Sequence, residues 1–217
     1  MSEAIELPMF PLGSVLFPAM PLALRVFEDR YMAMLATVLA QEPSEFGVVL
    51  IERGQEVGGG EHRFDLGTIA RIEQLDAAEG FVAMIAQGTR RIRVIEWLPD
   101  DPYPRALVEP LDDLEWDEAL APERQQVEQA VRHALAVGAE FGSEAVPIQY
   151  SAMVELDADP VDSAWQLAAI TPLNELDQLR LLAAESMSEL LAGLQPLAED
   201  AARMLSSAQD GDEPFPT

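Results

Sequence analysis

The chain changes character at Pro110. Before it, short apolar runs rich in β-branched residues alternate with turns that carry glycine and proline. After it, glycine thins out and alanine and leucine rise. One regular architecture cannot serve both halves, because strands repeat every two residues and helices every 3.6. The first half must bury its apolar residues in a sheet and the second in packed helices. The expected class is α+β, with a β subdomain over 1–113, a helical bundle over 114–207 and a disordered tail over 208–217.

Strand signals run from Ile5 to Leu12, Met20 to Val26, Phe46 to Ile51, Leu66 to Ile72, Phe81 to Ala86, Arg91 to Glu96 and Tyr103 to Val108. Pro8 and Pro11 mark the first as an edge or irregular strand, because each removes a ladder donor. One helix interrupts the series, Arg30 to Ala40, with Asp29 as its expected N-cap. Short strands with one helix among them suggest a closed or nearly closed small barrel. In the second half, Pro122 to Val137 reads as helix. Asp159-Pro160 starts another, and Thr171-Pro172 or Asn174 the next. Ser186 to Leu205 carries an apolar stripe that Pro196 should kink or break near Gly193.

Charge and composition remove several function classes. The formal net charge is -26. Residues 1–110 hold nine Arg against seventeen Asp and Glu, a net of -8; residues 111–217 hold four against twenty-two, a net of -18. Such a field repels nucleic acid and anionic membrane surfaces. No apolar run is long enough to span a bilayer, and the acidic N-terminus is not a secretory signal, so a cytoplasmic location is expected. Cysteine is absent, which excludes disulfides and thiolate chemistry. Lysine is absent too: all thirteen basic residues are arginine. A chain without lysine has neither a phosphate-gripping P-loop nor a Ser-Lys catalytic pair.

Other chemistry-bearing clusters have simpler structural explanations. Gly58-Gly59-Gly60 lacks the lysine of a phosphate loop and is flanked by Glu56 and Glu61, so it reads as a hairpin loop. His62 beside Glu61 and Asp65 is a weak metal pattern in a glycine-rich loop. His133 lies on a helix beside Arg132. Asp157, Asp159 and Asp162 lack the glycine and glutamate of a calcium loop and suit helix capping. The acidic run 112–118 reads as a linker. Ser14 and Ser143 each follow a glycine, without the surroundings of a nucleophile elbow. Arg90, Arg91 and Arg93 form the only basic cluster, and ion pairing within the protein is its expected role. No catalytic residue, metal or cofactor is expected.

The apolar loop Val15-Leu16-Phe17 is the most informative candidate, expected at one end of the barrel. Either it plugs that end or it presents an apolar patch to unfolded segments. Met20 and Tyr103 join it as candidate polypeptide-binding residues.

Several segments in order resemble a known family. Leu7-Pro8-Met9-Phe10-Pro11-Leu12 and Phe17-Pro18-Ala19-Met20-Pro21-Leu22 look like the opening of the Lon protease N-terminal domain. Leu66-Gly67-Thr68-Ile69-Ala70-Arg71-Ile72 and Gly88-Thr89-Arg90-Arg91-Ile92-Arg93 are similar to two of its strands. Asp159-Pro160, Leu167-Ala168 and Leu179 to Leu182 resemble its helical part. The resemblance implies a PUA-like pseudo-barrel followed by a helical bundle that recruits substrate polypeptide. It also implies that the ATPase and protease modules would follow, where this chain stops. The expected function is non-catalytic binding of unfolded polypeptide or a protein partner. The alternatives are a stand-alone hydrolase or peptidase and an RNA-binding barrel.

Overall fold

The computed structural model describes residues 4–53, 62–141 and 150–207. The expected tail over 208–217, the Gly58–Gly60 cluster and Ser143 lie outside them. The chain forms two compact units, Met1–Asp113 and Leu114–Thr217.

The first unit is a mixed sheet of six strands with one helix. In chain order these are β1 (Ile5–Leu12), β2 (Pro21–Val26), α1 (Asp29–Val38), β3 (Glu45–Arg53), β4 (His62–Ala78), β5 (Phe81–Leu98) and β6 (Arg105–Pro110). The sheet order is β2-β5-β4-β3-β1-β6, and β5 pairs again with β6. Strands β5, β4, β3, β1 and β6 therefore close a ring, with β2 attached outside it. Pairing is antiparallel except between β1 and β3. Met9, Val49, Ile69, Ile92, Val94, Ala106 and Val108 fill the ring interior. Gly47 faces them, and a Cβ there would lie 2.5 Å from the Met9 sulfur.

β1 keeps its two prolines because it changes partner midway. Ile5–Pro8 pair with β6 and Met9–Leu12 with β3. Each half thus has one ladder neighbour, as on an edge strand. Where three separate strands are expected between Leu66 and Glu96, two long ones stand, β4 and β5. Register shifts between Thr68 and Ala70 and between Ile72 and Gln74 break the alternation on which sequence reading relies. The stretch Glu73–Ala78 continues β4, and only Glu79-Gly80 turns, with Gly80 at φ 86°. Helix α1 is present, but Asp29 is its first residue and not its cap. The capping position belongs to Glu28, whose carboxylate is held by Arg30 at 3.0 Å and makes no cap bond.

The outer face of the ring carries a second apolar layer. Phe10, Val48 and Thr68 share that face by register. The Tyr31 ring of α1 stacks on Phe10 with centroids 4.0 Å apart, so the buried face of α1 (Tyr31, Met34, Leu35, Val38) lies over the sheet.

The second unit is helical: a 3-10 turn (Glu118–Leu120), then α2 (Ala121–Phe141), α3 (Pro160–Ile170), α4 (Glu175–Leu182) and α5 (Met187–Ser207). The Asp159 carboxylate accepts from the N–H groups of Val161 and Asp162, and Asn174 caps α4 through Asp177 N–H. Such caps contribute about 1 kcal/mol each. Ala134 of α2 packs with Ala201 and Ala202 of α5, small residues that let two helices approach closely. Where a kink or break is expected at Pro196, α5 runs through it as one continuous helix. Proline inside a helix costs about 3 kcal/mol, but burial of Leu190, Leu191 and Leu194 on one side and Leu205 on the other contributes about 1.5–3 kcal/mol per leucine.

Two glycines test this packing in opposite directions. A Cβ at Gly193 would meet the Leu181 side chain at 3.4 Å, an ordinary contact, so Gly193→Ala should stabilise the helix by about 0.5–1 kcal/mol. A Cβ at Gly67 would lie 2.1 Å from the Val48 carbonyl oxygen, so Gly67→Ala should destabilise by about 2–3 kcal/mol. Urea titrations followed by circular dichroism check both signs.

Candidate functional site

β5 is long enough to serve two neighbours on one side. Val82–Gln87 pair with β2, and Ile92–Leu98 pair with β6. Between them, at Gly88, the loop 13–20 crosses the outer face. Gly88 N–H donates to Met20 C=O and Ala19 N–H donates to Gly88 C=O, both at 2.9 Å. The Thr68 hydroxyl donates to the Leu16 carbonyl at 2.6 Å from a fully buried position. A Cβ on Gly88 would lie 2.2 Å from the Phe17 carbonyl oxygen. The loop is therefore clamped onto β4 and β5 by its backbone.

The clamp fixes the sequence candidates in place. Leu16, Phe17, Met20 and Tyr103 are all buried, and Val15 is half-buried. As side chains, Leu16 and Phe17 cover the sheet; they are not an exposed patch. One apolar side chain that does reach solvent, Leu75, lies further along the same face, while Ile85, 41% exposed, stands on the opposite one. Register puts Leu24 of β2, Met84 of β5 and Leu75 of β4 in one row. Met84 is buried, Leu24 half-buried and Leu75 40% exposed. Phe27, just past β2, is 60% exposed. Sequence periodicity missed Leu75 because the shift at Ile72/Gln74 moves it onto this face.

The opposite face of the same three strands carries Arg25, Ala23, Ile85 and Phe81. The Arg25 guanidinium sits 5.3 Å from the Phe81 ring centroid. Such a contact contributes about 0.5–1 kcal/mol at an exposed site. Arg71 binds one oxygen of the buried Glu45 carboxylate through Nε at 3.0 Å and Nη2 at 2.8 Å.

The arginine cluster does not form one basic surface. Arg91 is buried, and its guanidinium donates to the Asp112 carbonyl at 2.9 Å, while Arg90 and Arg93 are exposed. Burial holds the Arg91 guanidinium below its ordinary value, with Asp113 and Asp112 opposing the shift. His62, Asp65 and His133 are exposed. No group of three or more His, Asp or Glu side chains able to hold a metal occurs among the described residues. Asp157 and Asp159 are engaged in local turns and the α3 cap. No helix among the described residues is long and apolar enough to cross a membrane.

Residues 6–198 match the family model described as the ATP-dependent protease La (LON) substrate-binding domain. The chain belongs to the LON substrate-binding domain family. Lon protease 2 of Herpetosiphon aurantiacus is 28% identical over 202 residues, which cover 90% of this chain and 21% of that protein. Lon protease 2 of Myxococcus xanthus is 33% identical over 110 residues, 49% of this chain and 13% of that protein. The LON chain thus spans about a fifth or less of these relatives, at 21% and 13% of their lengths. Among solved structures, the Lon N-terminal domain protein from Xanthomonas campestris superposes with a TM-score of 0.55 at 26% identity, covering 94% of this chain and 98% of that one. The N-terminal domain of Mycobacterium avium complex Lon protease gives 0.62 at 18% identity, covering 90% and 99%, and shares the fold.

The Thr68 clamp makes a prediction specific to this LON domain. Thr68→Val leaves the buried Leu16 carbonyl without its donor, and should cost about 1–3 kcal/mol. Thr68→Ser keeps the hydroxyl and should recover most of that loss. Chemical denaturation of the three proteins side by side measures the difference.

Proposed function

We propose that this chain is a non-catalytic polypeptide-binding module, acting on unfolded or extended segments of other proteins in a cytoplasmic setting. The ring of five strands with β2 outside it supports reading the first unit as a PUA-like pseudo-barrel. The observation that carries the binding role is the incompletely covered apolar row of Leu24, Met84 and Leu75 at the hairpin end, with the exposed Phe27 following β2, in a domain of the LON substrate-binding family. Exposed apolar side chains adjoining half-buried ones form the kind of surface that takes up apolar segments. Val15, Leu16, Phe17 and Met20 contribute to this site from the neighbouring part of the same face, where the loop covers the sheet, and Tyr103 contributes as a buried residue.

Catalysis forms no part of this reading. The sequence has no lysine for a P-loop or a Ser-Lys pair. An RNA-binding role is disfavoured by the net charge of -26 and by the burial of Arg91.

Reduced, carboxamidomethylated lysozyme provides the test, with native lysozyme as a folded control of closely similar charge. The protein should bind the unfolded form and not the native one in fluorescence anisotropy. Leu75→Ser and Phe27→Ser should together weaken binding about tenfold, the equivalent of about 1.4 kcal/mol. No peptide-bond cleavage should appear with or without ATP. Equal affinity for the two lysozymes would reduce the interaction to charge and remove the proposal.

A further inference from the structure

We infer that the outer edge of β2 accepts an extended polypeptide as an added strand. This rests on the polypeptide-binding reading and specifies its mode.

The hydrogen-bond phase of β2 follows from its register. Gly88 N–H donates to Met20 C=O. Antiparallel ladders alternate bonded and non-bonded pairs. The pairs Leu22–Ala86, Leu24–Met84 and Val26–Val82 are therefore the bonded ones, and their backbone groups turn toward β5. Ala23 and Arg25 turn their N–H and C=O groups the other way. β2 is the terminal strand of the sheet order, paired with β5 alone among the described residues. Pro21, Ala23 and Arg25 are exposed residues of this terminal strand.

Open edges are usually blocked by charges, prolines or bulges. Here the blocks fall outside the usable stretch. Pro21 removes only the first outward donor, and the irregular turn at Ala19, with φ 59°, precedes the strand. The Arg25 side chain lies over the Phe81 ring, on the face of the sheet.

The chemistry selects the occupant. A row of alternating backbone donors and acceptors is matched by the backbone of an extended peptide. An added strand would continue the face of Leu22 and Leu24, so every second residue of the peptide should be apolar. A second copy of this chain would bring its own -26 against -26, which opposes self-pairing. The occupant is thus an extended, neutral or basic peptide segment with alternating apolar residues.

The test uses a fluorescein-labelled peptide of alternating valine and threonine with a lysine at each end. Its twin carries N-methyl groups on the residues that would donate to the edge. The wild-type protein should bind the plain peptide at least about tenfold more tightly than the twin, as expected for lost backbone hydrogen bonds. Ala23→Pro removes one outward donor while leaving the β2–β5 bonds, and should weaken plain-peptide binding by about the same factor. Ala23→Thr should bind as wild type does. Equal binding of peptide and twin overturns the inference whatever the fold of the variants. Unfolded lysozyme held by Ala23→Pro at wild-type affinity overturns it too, and leaves the broader reading standing. Failure of the wild type to bind unfolded lysozyme removes both. A concentration-dependent dimer in analytical ultracentrifugation that Ala23→Pro abolishes would assign the edge to a second copy instead.

Discussion

One strand has to change partner without leaving the sheet, and Gly88 is where it does so. Along its second half, β5 belongs to the ring through β6. Along its first half it leaves the ring and carries β2. Between the two, the chain must bring the 13–20 loop against β5 closely enough for two backbone hydrogen bonds. Only a residue without a Cβ allows that approach, since any side chain would enter the Phe17 carbonyl. The approach of the loop that leads into β2 and covers the sheet with Leu16 and Phe17 depends on this contact.

The two units reach stability by different routes. The first relies on two apolar layers separated by one sheet, the interior around Met9 and Ile69 and the exterior around Phe10 and Tyr31. Charge is absorbed locally, as where Arg71 meets Glu45 and where Arg63 grips Asp100 through two nitrogens while stacking on Trp97. In the second unit each of the four arginines pairs with an acid three or four residues away, and stability depends on leucine burial and alanine contacts between α2 and α5. Arg132 bonds Glu128 and also the carbonyls of Ala152 and Val154, tying an irregular segment to α2.

Much of the fold was legible from local signals. Asp159-Pro160 and Asn174 start helices where cap chemistry places them, and the stripe from Met187 to Leu205 is a buried helix face. The α+β class followed from the change of periodicity alone. The candidate site was less legible. An apolar triplet such as Val15-Leu16-Phe17 has the same composition whether it is covered or exposed. Its fate is decided by Thr68, fifty-two residues away, and by Gly88. The full length of the β4–β5 hairpin was not legible, because bulges reset the alternation and because Glu73–Ala78 is solvated. The β2 edge is a property of pairing, and residue type does not reveal it.

The order of the ring also sets a schedule for its making. Ile5 pairs with Val108, so the earliest-made strand of this sheet is among the last to be completed. At about 5–20 residues per second, its Ile5–Pro8 half waits on the order of 5–20 seconds for its partner strand. Throughout that interval the newborn chain displays an apolar ribbon interrupted by Pro8 and Pro11, two residues that deny a passing strand part of its ladder. The prolines that look like flaws in a finished sheet are useful guards on an unfinished one.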